Sequence, residues 1–245
     1  MLRRFAPGIT DRDDSWRTVT RHIPLVPPTP RRRIWRTPTP ASTEATGPDR
    51  DVALLRDLVH TLLVAERADE AFQFALDRAC PVVGASLGSV FVLDGASELM
   101  RLVAAHAWPD RWRPWLGEMR VRVGFGPSGE AVSERRVIEV PDVFADPTLE
   151  DWQEVAGELG FKALVALPLL TNGAVVGATT FYFTDAGSPD SRVRHLLRAV
   201  ADIMAAIAEK SDLQDRLRRA DAALDSINAV NPPTVPVVEA TEETT

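Results

Sequence analysis

The stretch Lys162–Thr184, KALVALPLLTNGAVVGATTFYFT, restricts the folds open to this chain more than any other. Two apolar runs flank Asn172-Gly173, a pair that takes the positive φ angles of a type I′ turn at little cost. Val, Leu, Thr, Phe and Tyr crowd both arms, and these residue types suit a pleated surface. The stretch predicts a β-hairpin. Neither of its faces is polar enough for water, so it belongs at the centre of an antiparallel sheet covered on both sides.

The rest of the chain is unevenly composed. Of 19 prolines in 245 residues, eight lie in residues 1–50, and three more fall in the last fifteen residues, where no apolar period is seen. Roughly 180 residues are left for one core. The net charge of −7 divides sharply, because residues 1–50 hold ten Arg against five Asp or Glu, +5, leaving −12 for the remainder. Lys162 and Lys210 are the only lysines, an arginine bias typical of GC-rich bacterial coding sequence. Cys80 is the single cysteine, which excludes an intrachain disulfide and any zinc site with two thiolates. No run is long enough for a membrane span and no apolar stretch follows Met1–Phe5, so a soluble cytoplasmic protein is expected.

Residues 1–50 read as an extended or disordered arm. Arg31, Arg32, Arg33, Ile34 and Trp35, with Trp16 upstream, form a basic-aromatic patch that could dock on nucleic acid, an acidic membrane surface or a protein groove. The prolines at 24, 27, 28 and 30 favour an extended segment laid along a protein partner over the other two. The bland alternative is a solvated linker.

From Asp51 the period becomes helical, with Val52, Leu55, Leu58 and Leu62 on one stripe. A second helix carries Phe72, Leu76, Ala79 and Val83. Strands Leu87–Leu93 and Leu99–His106 follow, then a tryptophan-rich loop and a short strand at Met119–Val123. Gly124-x-Gly126-x-x-Gly129 opens a short helix, Val137–Val140 is a strand, and a helix at about Leu149–Leu159 stops at Gly160. After the hairpin, Ser188 caps a helix that runs to about Asn228. Its Leu196, Val200, Ile203 and Ile207 alternate spacings of four and three, as in a coiled-coil seam. The expected organisation is an arm at 1–50, a domain at 51–210, a coiled-coil extension at 211–228 and a tail at 229–245.

In this order the pieces resemble a GAF domain. The resemblance is carried by Gly124, Gly126, Gly129, Ala131 and Val132; by Ile138–Val143; by Gly160–Leu164 and Leu167-Pro168-Leu169; and by Val176-Gly177-Ala178. It covers residues 52–210. The glycine motif does not read as a dinucleotide fingerprint, since no parallel βαβ unit surrounds it. The resemblance implies an α+β fold, with a central antiparallel sheet of about six strands, the terminal helices on one face and a pocket under a lid on the other. It also implies a small-molecule sensor or a dimerising regulatory module.

Enzymatic and cofactor chemistry are not expected. GAF-like free methionine sulfoxide reductases need more than one cysteine at the pocket, and Cys80 is alone. The cysteine of bilin-binding members and the residue set of cyclic-nucleotide members are also missing. His106, at a strand end beside the lid, is the one conceivable haem ligand. The four histidines lack metal-ligand spacing, and Ser128 has no nucleophile elbow around it. The candidate pocket is His106, Trp108, Trp112, Trp115, Phe125, Asp142, Phe144, Trp152 and Lys162, a mixture of aromatic and polar groups that suits a small-molecule site. The same aromatics would also suit a filled core.

The expected function is a non-catalytic regulatory or sensory module. It forms a homodimer along Leu55, Leu58, Leu62, Leu196, Val200, Ile203 and Ile207 and acts on a partner protein through its arm and last helix. The alternative is a structural subunit docked by its arm, with a filled pocket and no ligand.

Overall fold

The structure, a computed structural model, describes residues 47–95, 97–112 and 118–230, with side chains described as far as residue 227. The basic-aromatic arm and Trp115 lie outside the described residues.

Two helices open the domain: α1 (Gly47–Val64) and α2 (Ala68–Val83). Strands β1 (Leu87–Leu93) and β2 (Leu99–His106), a 3-10 turn (Asp110–Trp112) and β3 (Arg120–Arg122) come next. Then follow α3 (Gly126–Glu134), β4 (Ile138–Val140), a second 3-10 turn (Pro147–Leu149) and α4 (Glu150–Leu159). The hairpin is β5 (Ala163–Thr171) and β6 (Ala174–Phe183), and α5 (Ser191–Val230) is the last element. Asn172 and Gly173 take φ of 40° and 84°, as the two-residue turn requires.

Six antiparallel strands form one sheet in the order β3-β2-β1-β6-β5-β4. The hairpin is therefore interior, with β6 and β1 as the middle pair. Pro168 sits in β5 beyond the reach of the short edge strand β4, whose register ends at Ile138↔Ala166. A proline that cannot donate is tolerated where no outer strand needs it.

Alternation assigns each strand residue to a face. Val165, Leu167, Leu169 and Phe181 join α1, α2 and α5 in the larger core cluster. Leu164, Ala166 and Tyr182 turn to the opposite face with Ala131 of α3 and Ala156 of α4. Gly129 of α3 allows its helix to rest on the sheet, since a Cβ there would lie 2.3 Å from the Arg122 carbonyl oxygen.

Two expectations are corrected. The last helix is capped by Asp190, whose Oδ1 accepts the Val193 N–H at 2.8 Å, and not by Ser188. More consequential is the apolar seam. Leu58, Leu196, Val200 and Ile207 are buried within the chain's own core, and Leu55, Leu62 and Ile203 pack half-buried against it. This stripe closes the domain on itself. On the two terminal helices, the large apolar residues left exposed among those described are Val52, Val59, Leu63 and Val64 on α1 and Leu213, Leu217, Leu224 and Ile227 on α5.

At the point where α5 leaves the domain, Lys210 Nζ donates to the carbonyls of Leu62, Leu63 and Ala65 at 2.7, 3.1 and 3.0 Å. These are the orphan acceptors at the end of α1, where a cation is also favoured by the helix dipole. Past Ser211, all described side chains except half-buried Gln214 are exposed.

Candidate functional site

On the face opposite the terminal helices, the lid, α3, α4 and the floor strands enclose a cavity of about 40 Å³. That is room for a few waters. Its aromatic walls are Trp108, Phe125, Trp152 and Phe161. Trp108 hangs from the end of β2, with its Nε1 donating to the Gly88 carbonyl at 3.2 Å. Behind it, Trp112 is buried, its ring edge-on to Trp108 at 6.1 Å. Phe125, the N-cap of α3, leans on Trp152 of α4 at 6.3 Å. Gly126 must be small here, because a Cβ would lie 2.7 Å from the Trp152 ring. Arg111 in the 3-10 turn donates to the Glu158 carbonyl of α4 at 3.0 Å, holding the lid to the far wall.

The floor is polar. Ser128 Oγ and Thr180 Oγ1 are 2.8 Å apart and both buried. Ser89 Oγ meets the Tyr182 hydroxyl at 3.1 Å. Burial pushes the Tyr182 phenol up from its ordinary range, while the bonds to Ser89 and Thr180 act in the opposite sense. Thr180 is the partner of Ser128, so Thr180→Val is expected to leave the buried Ser128 hydroxyl unpaired and cost roughly 1–3 kcal/mol. Thr180→Val combined with Ser128→Ala should recover part of that loss, a coupling that chemical denaturation of the single and double variants measures.

Residues 65–209, more than half of the chain, match the GAF domain family. The chain belongs to the GAF domain family. A methyl sulfide methyltransferase-associated sensor of Methanosarcina acetivorans is 24% identical over 147 residues, which are 58% of this chain and 15% of that protein. The chain thus matches only a small part of that relative's length. Among solved structures, the GAF domain of a phosphoenolpyruvate-protein phosphotransferase from Coxiella burnetii superposes with a TM-score of 0.61 at 16% identity. It covers 70% of this chain and 99% of that one. Free methionine-R-sulfoxide reductase from Neisseria meningitidis, solved with its substrate, gives 0.57 at 16% identity, over 71% and 96% of the two chains. At such identities the likeness concerns the fold.

Within this GAF domain the candidate residues separate into two groups. Trp108, Phe125 and Trp152 line the cavity, and Trp112 supports Trp108 from behind. The other described candidates lie elsewhere. Phe144 is 47% exposed. Its N–H closes a turn onto Asp142 Oδ1 at 2.9 Å, so Asp142 shapes the loop rather than the cavity. Lys162 is exposed and contributes its backbone, accepting the Val143 N–H at 2.7 Å.

His106 faces the terminal helices. Its Nδ1 contacts Asp77 Oδ1 of α2 at 2.7 Å, so the one expected haem ligand is directed away from the cavity. The cause is a bulge. Val90 pairs Ala104 and Phe91 pairs Leu102, leaving Val103 unmatched. Met100 and Leu102 face the cavity side, and one extra residue reverses the alternation before His106 is reached. Among the described residues, no group of three His, Cys, Asp or Glu side chains could hold a metal. No helix there is long and apolar enough to cross a membrane.

Sequence reasoning missed the floor. Thr179-Thr180 inside an apolar strand, the sole tyrosine and a serine following Gly126-Pro127 were the available signals. Each is unremarkable by itself, and only the pairing of β1, β6 and α3 brings them together.

Proposed function

We propose that this GAF domain is a non-catalytic sensory or regulatory module that holds a small molecule beneath the tryptophan lid and passes its occupancy to a partner protein. The observation that carries this reading is the arrangement of β6. Thr180 and Tyr182 line the cavity, while Phe181 between them is packed in the cluster that includes Val200 and Met204 of α5. A shift of this strand is felt at both the floor and the last helix.

The absence of chemistry is supported by Cys80. The thiol is buried on the helix face, and burial with the nearby Asp77 charge pushes its pKa up to about 12. A thiol held protonated behind the sheet is neither nucleophile nor redox group for the cavity. The small cavity favours one rival, a structural subunit with a filled pocket. Titration with small-molecule fractions of a cell extract, followed by tryptophan fluorescence, separates the two readings. A saturable change abolished in Trp108→Ala while the fold persists supports a sensor, and no response from any fraction supports the filled pocket.

The module is a homodimer in this reading, but its contact lies further along α5 than the buried seam. Leu213, Leu217, Leu224 and Ile227 alternate spacings of four, seven and three along an otherwise polar helix, and each is more than half exposed. Asp212–Arg216 and Asp215–Arg218 pairs flank them. A stretch of this length, with no core beneath it, is marginal alone in water, and a parallel second copy would cover the stripe. Leu217→Glu with Leu224→Glu is expected to weaken self-association by about a hundredfold or more through buried unpaired charge. Sedimentation equilibrium checks this, and a wild-type chain that stays monomeric at all concentrations would contradict it.

A further inference from the structure

The described buried polar residues are Ser89, Ser128, Thr179 and Thr180. Thr179 faces the other way and bonds the Ser89 carbonyl at 3.2 Å. The remaining three, with Tyr182, make two hydroxyl pairs, Ser89 with Tyr182 at 3.1 Å and Ser128 with Thr180 at 2.8 Å. Each hydroxyl donates one proton and accepts two bonds. The link between Ser128 and Thr180 consumes one of their two protons, so one is left spare. If Thr180 donates to Ser128, the Ser128 proton is free for an occupant. If Ser128 donates to Thr180, Ser128 offers lone pairs instead. The floor can therefore meet a donor or an acceptor by turning its hydroxyl rotors.

The rest of the lining is apolar or aromatic, and no ionised side chain is part of it. An ion placed there would lose its hydration without gaining a counter-charge. A flat ring, by contrast, finds the indole and phenyl faces it packs against best.

Resting on the ligand-binding reading above, we infer that the occupant is a small uncharged aromatic molecule with one hydrogen-bonding group, its ring among Trp108, Phe125, Trp152 and Phe161 and its polar group on Ser128. The specificity lies in the Ser128–Thr180 hydroxyl pair, which accepts either polarity, and in the apolar walls, which reject charge. At about 40 Å³ the cavity is smaller than one ring, so Phe125 or Trp152 must swing aside to admit it.

Isothermal titration of the full chain with phenol, toluene and benzoate tests this. Phenol is expected to bind at least about tenfold more tightly than benzoate, which carries an unpaired charge. Ser128→Ala removes the hydroxyl that meets the occupant's polar group and leaves the apolar walls unchanged. That variant should lose about three- to tenfold in phenol affinity with toluene unchanged. If it fails to fold, the ranking of the three probes on the wild-type chain decides. Benzoate equal to or tighter than phenol, or phenol binding untouched by Ser128→Ala, overturns the inference and leaves a ligand site of another class. Failure of all three probes to bind overturns the inference and the ligand-binding reading together.

Discussion

Phe181→Ala is expected to destabilise the domain by about 3–5 kcal/mol, enough to remove a large part of the stability of a typical domain. Among the described residues Phe181 is the largest fully buried side chain. It stands on β6 between partners on both sides, Gly88 of β1 and Val165 of β5, and it packs into the cluster closed by α1, α2 and α5. No neighbouring backbone can collapse into the space, because the strands beside it are fixed by their ladders. At roughly 2–4 °C per kcal/mol for a domain of this size, the melting temperature should fall by about 10 °C. Phe144→Ala is the control. Its ring is 47% exposed, so the change should stay within about 0.5 kcal/mol. Thermal unfolding by circular dichroism distinguishes the two, and equal effects would contradict the assignment of faces.

A second large effect concerns alkaline pH, where this chain titrates with few groups. Its one cysteine and its one tyrosine are both buried, and both lose protons in that range. Cys80, ordinarily near 9.0, is pushed up to about 12 by burial and by Asp77. Tyr182, ordinarily near 10.0, is also raised by burial. Both groups bind their protons more tightly folded than unfolded. The stability they contribute is complete below pH 9 and is lost as the pH climbs through 9 and 10 toward the folded values. The cost of the Cys80 shift alone is on the order of 1 kcal/mol by pH 10. The kinetic counterpart is larger, since raising the thiol from 9.0 to about 12 lowers the thiolate fraction near pH 8 by about a thousandfold. A thiol-specific reagent should label Cys80 only as the chain unfolds, and the tyrosinate absorbance band should appear together with unfolding rather than near pH 10. Rapid labelling of the native chain would place Cys80 outside the core.

What could be read from the sequence followed the range of the interactions. The 172–173 turn, β1, β2 and the glycine stop after α4 depend on neighbours within a few residues, and their spacing announces them. The seam on α5 shows the limit. A period of four and three at Leu196, Val200, Ile203 and Ile207 reports that a helix face is apolar, but not what covers it. Here α1, α2 and the sheet cover it, and the exposed stripe starts six residues beyond Ile207, at Leu213. His106 shows a second limit. Counting alternate residues from Met100 puts it on the cavity side, and the unmatched Val103 puts it on the other. Nothing in the sequence marks that bulge. The floor hydroxyls were obscured for a third reason: Ser89 comes from β1, Ser128 from α3, and Thr180 and Tyr182 from β6, and their common chemistry exists only after the strands have paired.

Hydrogen exchange of the full chain, with and without a bound small-molecule fraction, tests most directly whether the lid cavity and the last helix act as one device. The account predicts slowed exchange in two separate places. One is the lid and α4, around Trp108–Trp112 and Trp152. The other is the far end of α5, around Leu213–Ile227, with β5 and β6 strongly protected throughout. Protection confined to the lid, with the α5 extension unchanged under saturating ligand, would contradict it.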